Sequence, residues 1–313
     1  MEEYLLGKVS TDHCILFIYQ NRDSVVIGRN QNPWIECRID LLKQDNLILA
    51  RRISGGGAVF HDMGNLNFTF LVSKNDYNFK KQINVILLAL KELGVIAVLN
   101  DKNDLVFNNK KISGNAFSYK RNCVLHHGTL LINSNLSKLS MVLKPLANSI
   151  KTRSVKSKPS EVININEINP AITIESVKDT VTNTFKEIYG ENTPIIQGNK
   201  KINMLNLNEV HEKNKSWEWL YGMTPQFNVD WNHLFDWGNI KMSFKVIKGQ
   251  INDVNIQSNV LETNVINLIS QGLSGSTFNS LYLSNSIKLL LNENKRNFKI
   301  FSDIANWFES KNV

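Results

Sequence analysis

Three short stretches of this chain hold the residue types that could do chemistry. The first reads Arg51-Arg52-Ile53-Ser54-Gly55-Gly56-Gly57-Ala58-Val59-Phe60-His61-Asp62. Consecutive glycines weaken any regular element, so here the backbone either adopts positive φ or lets something approach closely. The N–H groups of Gly56, Gly57, Ala58 and Val59 could form an anion-binding concavity. The guanidinium fork of Arg52 could pair with a carboxylate or a phosphate. A flexible turn, and a surface ion pair for Arg52, are the plain alternatives. The second stretch runs from Asn103-Asp104-Leu105 to Lys110-Lys111-Ile112-Ser113-Gly114. Asn108-Asn109 between them tolerates the positive φ of a tight hairpin, which brings Asp104 and Lys111 near each other on adjacent strands. They either form a cross-strand salt bridge or divide the work, with a metal ion on Asp104 and an acyl or phosphoryl oxygen on Lys111. Lys110 should point to the opposite face. The third stretch is His126-His127-Gly128-Thr129. Neighbours in a strand face opposite ways, so one histidine lines a site, and the pair does not share a metal.

The spacings that are missing narrow the chemistry. The glycines fit neither the P-loop nor the dinucleotide pattern, and G-x-S-x-G, C-x-x-C and H-E-x-x-H do not occur. Cys14, Cys37 and Cys123 are scattered, which suits a reducing compartment rather than a disulfide framework or a metal site. His61 and Asp62 are adjacent and seldom face each other; His61 is expected to support the loop. The formal charge of +8 over 313 residues suits acidic partners. No Lys/Arg run exceeds two residues, so no nucleic-acid tail is expected. No apolar run reaches transmembrane length, and the first residues carry neither a signal-peptide nor a transit-peptide pattern.

Around these stretches the periodicity predicts strands at 15–19, 24–27, 47–53, 58–60, 67–72, 95–99 and 123–132. A helix over 79–93 has Ile83, Ile86, Leu87, Leu90 and Leu93 on one stripe, with Gly94 beyond its end. Short helices are expected at 2–8, 40–45 and 137–143, and a second long one over 174–189 ends at Gly190. The basic, Ser-rich stretch 148–160 has almost no apolar anchor and should be a mobile loop. Residues 216–225 are dense in aromatics. Strand, turn and strand follow at 241–247, 248–249 and 250–256, then helices at 259–270 and 280–293. Clustered strands and helices without regular βαβ alternation give an α+β fold.

The motifs VVIGRNQNPW (25–34), ARRISGGGAVFHDMGNLNFTF (50–70), NDLVFNNKKISGNAF (103–117), HHGTLL (126–131), SVKSKPS (154–160) and WEWLYGMTP (217–225) together resemble the lipoate–protein ligase A family of the biotin/lipoate ligase superfamily. They cover most of residues 15–230, and the region after about 236 is similar to the small C-terminal domain of the long-form ligases. The resemblance implies an α+β fold with a large mixed-sheet catalytic domain, 1–235, and a small C-terminal α+β accessory domain, 236–313. It implies activation of lipoate with ATP and Mg2+ to lipoyl-AMP and pyrophosphate, then transfer of the lipoyl group to a lysine of an acceptor domain. By motif, lipoate falls to Arg52, Ser54, Gly55, Gly56, His127 and Lys111, and ATP or AMP to Gly57, Ala58, Val59, Phe60 and Lys111. The metal falls to Asp104, and Lys111 is the catalytic residue. The segment 150–160 corresponds to an adenylate-covering lid. The implied partners are acidic lipoyl domains of 2-oxoacid dehydrogenase E2 subunits and glycine-cleavage H protein, with no nucleic acid and no membrane. A cytoplasmic monomer is expected, with the mitochondrion as the other compartment. Rival readings are a lipoyltransferase without the activation step, octanoyl transfer through a cysteine, and a non-catalytic binding homologue. Family members usually carry a strand and most of a helix before the pair matching Glu2-Glu3. Met1 falls inside that helix here, so either the start site is misplaced or the first strand is missing, which bears on the sheet edge and on activity.

Overall fold

The segment Asn65–Ser73 (β5) is buried along its whole length and forms the spine of the largest sheet in the first half of the chain. In the computed structural model, which describes residues 1–143, 149–196, 207–293 and 295–313, β5 pairs antiparallel with Cys14–Tyr19 (β1) and Cys123–Leu131 (β10). Asn115–Tyr119 (β9) lies outside β10. The period of two sorts this sheet into two kinds of face. Leu66, Phe68 and Phe70 join a dry core with the helices Phe79–Glu92 and Ile174–Tyr189. Asn67 and Thr69 point the other way, to a polar side. The same alternation on β10 opposes His126 to Phe70 and His127 to Thr69, so one histidine is dry and the other joins the polar side. Both helices begin on side-chain caps. Asn78 accepts from the Lys81 N–H, and Thr173 and Ser176 cap each other reciprocally.

Two smaller sheets carry the candidate residues. Ser24–Ile27 (β2) pairs parallel with Ile48–Arg51 (β3) and antiparallel with Val59–His61 (β4), so the glycine run is the β3–β4 connection. Val98–Leu99 (β6), Leu105–Phe107 (β7) and Lys110–Ser113 (β8) form the third sheet. Its β7–β8 turn is the expected one, with Asn108 at φ 49° and Asn109 at φ 64°. Asparagine reaches this left-handed region more easily than most residues.

The chain forms two compact units. One comprises Met1–Arg29, Ile48–Met141 and Ser157–Lys215; the other comprises Asn30–Leu47, Val142–Lys156 and Ser216–Val313. In the second, Ile150–Thr152 (β11), Phe227–Phe235 (β12), Gly238–Ile247 (β13) and Gln250–Ser258 (β14) make an antiparallel sheet. Trp34, Phe227, Trp231, Phe244, Phe278 and Phe308 pack as an aromatic core. Three departures from the sequence reading fall in this unit. First, β12 and the helix Phe298–Glu309 were not foreseen. Second, a division at 235/236 would cut the β12–β13 hairpin, and the compact unit instead begins its last segment at Ser216. Third, the expected loop over 148–160 contains β11, which pairs with the distant strand β12. Asn148 lies outside the described residues. No helix among the described residues is long and apolar enough to cross a membrane.

Candidate active site

Arg52 organises the glycine loop. Its Nε donates to Ser54 Oγ at 3.0 Å, its Nη1 to the Val26 carbonyl at 3.0 Å, and its Nη2 to the carbonyls of Gly55 and Gly57 at 2.6 and 2.7 Å. Desolvation pulls its pKa down to about 10, against the opposing pull of Glu2 and Tyr19. Arg52 is therefore not the surface ion pair that the sequence left open. Two glycines are required by close approach. A Cβ on Gly28 would lie 2.3 Å from the Gly56 carbonyl oxygen, and Gly56 itself has φ +89°. The Ala58 N–H, one of the expected anion donors, donates to Ser157 Oγ at 2.8 Å. A polar oxygen thus already occupies part of the cradle. Phe60 is buried opposite Val25, so only its backbone could serve a ligand.

Beside the loop lies a polar cluster that includes three residues the sequence reading did not select, Glu2, Tyr19 and Thr69. His127 Nε2 is 2.7 Å from Ser54 Oγ, and its Nδ1 is 2.9 Å from Glu2 Oε1. Glu2 also accepts from Tyr19 and Thr69. Burial raises the Glu2 pKa, but His127 and these hydrogen bonds outweigh it and bring the value down to about 2. The order Ser54–His127–Glu2 resembles a hydrolytic relay. Ser54, however, is only 1% exposed and its oxygen accepts the Arg52 Nε–H, so the relay fixes the loop rather than arming a nucleophile. His61 was expected to be structural support. Its Nδ1 meets Asn21, while its buried Nε2 has no partner among the described residues. Burial, with Arg52 and His127 nearby, holds it neutral at a pKa of about 3. The Nε2–H is a donor left for a ligand to satisfy. The only signal for Glu2 was its place in the matched helix, since nothing local links residue 2 to residue 127.

Glu2 has an acid-stability signature. Its pKa falls from an ordinary 4.5 to about 2 on folding. The stability it contributes is fully present above about 4.5 and is lost as pH falls toward about 2. Glu2→Gln should flatten this part of the stability curve, as read by urea unfolding at a series of pH values. An unchanged acid arm would show that the Glu2 carboxylate is not held this way.

The hairpin delivers the second constellation. The Lys111 backbone is pinned on its far side, with its N–H donating to the Glu161 carbonyl at 2.8 Å and its carbonyl accepting from Ile163 at 3.1 Å. Its side chain crosses Gly114 and places Nζ 2.8 Å from Asp104 Oδ1. Lys110 points away, to Glu161 at 3.0 Å. The salt bridge foreseen as the plain alternative is thus present, but it lies beside the loop. A Cβ on Gly56 would be 3.6 Å from Ala116 Cβ, two residues along β9 from Gly114. The lysine ammonium and the glycine loop therefore flank the start of β9. Among the described residues, no cluster of three His, Cys, Asp or Glu could hold a metal unaided. The Cys123 thiol is pushed up by burial, the reverse of an activated nucleophile.

Gly114 gives a clean test of lysine placement. Its φ is ordinary, but a Cβ would sit 2.8 Å from Lys111 Nζ and 2.9 Å from Cε. A flexible lysine end can yield, so Gly114→Ala should fold with a melting temperature within a few degrees of wild type. The ammonium must shift, and a displacement of about 1 Å can cost about 100-fold in rate. Steady-state kinetics beside a thermal melt would read both; full activity would mean that the ammonium position is not critical.

The model of the lipoyl protein ligase A/B catalytic domain matches residues 1–186, and that of the bacterial lipoate protein ligase C-terminus matches 224–308. A lipoate-protein ligase A from Psychrobacter cryohalolentis is 39% identical over 280 residues, covering 87% of this chain and 83% of that protein. P. falciparum LipL1, solved in complex with lipoate, is 32% identical with a TM-score of 0.60, covering 99% of this chain and 91% of that one. A lipoate-protein ligase A solved with bound ATP is 28% identical with a TM-score of 0.58, covering 70% of this chain and 90% of that one.

Proposed function

The chain belongs to the lipoyl protein ligase A/B catalytic-domain family, and from that premise we infer that it activates lipoate with ATP and joins the lipoyl group to a lysine of an acceptor protein. The observation that carries this reading is the Lys111 ammonium, held by Asp104 at 2.8 Å beside the glycine loop.

The chemistry follows from charge. A lipoate carboxylate must attack the α-phosphorus of ATP, and both partners are anions. Fixed positive charge and oriented N–H groups offset their repulsion and stabilise the charge that builds on the α-phosphate. Lys111 supplies the charge, and the backbone of Gly57, Val59 and Phe60 supplies the donors, joined by that of Ala58 when the nucleotide takes the place of Ser157 Oγ. The carboxylate oxygen–phosphorus bond forms as the bond to pyrophosphate breaks, giving the mixed anhydride. The acceptor lysine, arriving deprotonated, then attacks the carbonyl and expels AMP, with Lys111 stabilising the oxyanion. Lipoate lies along Arg52, Ser54, Gly55, Gly56 and His127, where the unpartnered His61 Nε2–H supports a polar contact. Arg52 serves that side through the loop it braces.

Asp104 fits a magnesium ion that shares its shell with substrate phosphates, because Oδ1 meets Lys111 and Oδ2 has no protein partner among the described residues. When bound there, the ion would neutralise phosphate charge. Ser157, on the Ala58 N–H, belongs to the lid that covers the adenylate. Function divides between a catalytic part and a C-terminal accessory part, in line with the separate family matches to 1–186 and 224–308. The partners are acidic lipoyl domains of 2-oxoacid dehydrogenase E2 subunits or of glycine-cleavage H protein, which suit the +8 charge. The protein is taken as a cytoplasmic monomer; its three free cysteines suit a reducing compartment.

The test is the mass of an apo acceptor domain after incubation with the protein, lipoate, ATP and Mg2+, with pyrophosphate measured in parallel. The expected result is one added lipoyl group and stoichiometric pyrophosphate. A gain of mass only when lipoyl-AMP is supplied would replace the ligase by a transferase. No gain in either arm would sink the enzymatic reading.

A further inference from the structure

The side-chain amide of Asn115 connects two parts of the fold that lie far apart in sequence. Asn115 opens β9 directly after Gly114 and lies opposite Gly128 of β10. Its Nδ2 donates to the carbonyl of Asn103 at 2.7 Å. Asn103 precedes Asp104 and sits at φ 61° in a turn built on Asn100. The Asn100 side chain accepts the N–H groups of Lys102 and Asp104, both at 2.9 Å. At its other end, Asn115 Oδ1 is 3.0 Å from His126 Nε2. Gly128 leaves the room, since a Cβ there would lie 2.7 Å from that Oδ1 and 2.3 Å from Phe68 Cζ.

Hydrogen-bond polarity makes this chain directional. The Asn103 carbonyl can only accept, so the Asn115 nitrogen faces it and the oxygen faces His126. His126 is fully buried, and burial lowers its pKa to about 3, so it carries one N–H. That proton belongs on Nε2, toward Asn115. Nδ1 is then an acceptor. The structure sets Gln82 Oε1 3.0 Å from it and leaves the buried Gln82 Nε2 without a partner among the described residues; a half-turn of the amide puts that nitrogen on Nδ1 and satisfies both groups. The ring cannot swing, because it stacks on Phe117 and Phe70 with centroids 4.8 and 5.6 Å away and meets Phe79 and Phe68 edge-on.

We propose that Asn115 is a positioning residue for adenylate formation, tying the turn that carries Asp104 to the aromatic box around His126. Asp104 holds the Lys111 ammonium, so the clamp fixes the lysine at one remove. This proposal rests on the ligase reading above. The clamp does not touch the lipoate cluster of Glu2, Ser54 and His127, so its loss should act on turnover rather than on lipoate binding.

Asn115→Ala removes both hydrogen bonds. Asn115→Asp is isosteric and keeps an acceptor for His126, but it loses the donor and turns an anion toward the Asn103 carbonyl. In both variants kcat for lipoate-dependent pyrophosphate release should fall about 10-fold or more, with KM for lipoate within about twofold. A rise in KM alone, or unchanged kcat, overturns the proposal. Hydrogen exchange in the Asn103–Asp104 region is the second readout and needs no turnover. Exchange there should quicken in both variants, and unchanged protection overturns the clamp. A wild type that releases no pyrophosphate counts against the ligase reading, while the exchange data still decide the clamp. If Asn115→Ala does not fold, Asn115→Asp is read alone; if that also fails to fold, the role is structural and the proposal is wrong.

Discussion

Lys111→Ala should reduce lipoyl-AMP formation by about 100- to 1,000-fold, the usual scale for losing one group that stabilises transition-state charge. The loss should fall on kcat, because the ammonium is needed most as carboxylate and phosphate approach. The fold should survive. The Lys111 main chain is held by Glu161 and Ile163 whatever its side chain, and Leu105 and Ile112 keep the hairpin in the core. The one structural debt is Asp104, which loses its partner at 2.8 Å and costs about 1–2 kcal/mol in stability. Stopped assays of pyrophosphate and AMP, with a thermal melt, separate the two effects. Transfer from supplied lipoyl-AMP should fall as well, since the same ammonium faces the oxyanion of the second step. Activation lost with transfer intact would confine Lys111 to the first step. Wild-type rates in both would remove it from the mechanism.

Arg52→Ala should be the most damaging change to the fold near the site. It strips donors from the carbonyls of Val26, Gly55 and Gly57 and from Ser54, in a setting that is only partly buried. Leaving these acceptors short of donors costs about 1–3 kcal/mol. For a protein of this size that corresponds to a fall of about 5 °C in melting temperature. Activity should be lost with the loop. Arg52→Lys should recover little of either, because one ammonium cannot reach four acceptors arranged around a planar fork. If Arg52→Ala melts near wild type and loses only lipoate affinity, Arg52 acts on the ligand directly and the bracing role is wrong.

The local features were the legible ones. The Asn108-Asn109 turn, the helix over 174–189 with its glycine stop, and the opposite facing of His126 and His127 all follow from residues a few positions apart. The two-residue turn sets Val106 opposite Lys111, and past a register shift between Leu105 and Val106 the lysine side chain still reaches Asp104. What stayed hidden depends on partners far along the chain. Glu2 meets His127 across 125 residues. Ser157 reaches Ala58 across 99. β11 pairs with the distant β12, and three residues, Ile150 to Thr152, inside a basic, Ser-rich stretch are too short a signal to predict it. Arg52 was read as a ligand's partner because an arginine beside glycines offers a charge. Its bracing of the loop, through Ser54 and the carbonyls of Val26, Gly55 and Gly57, was not legible because those acceptors are set by the folded turn.

The dry histidine has a spectroscopic consequence. His126 is held neutral with its single proton on Nε2, inside an aromatic box and hydrogen-bonded to Asn115. Such a proton should exchange slowly with solvent and give a resolved imidazole resonance, shifted by the stacked rings of Phe70 and Phe117. That signal should hold steady across the neutral pH range, and it should move when substrate, lid or acceptor disturbs the turn at Asn103. One buried ring thus serves as an internal gauge of the catalytic hairpin, readable in the intact protein without a label at the site.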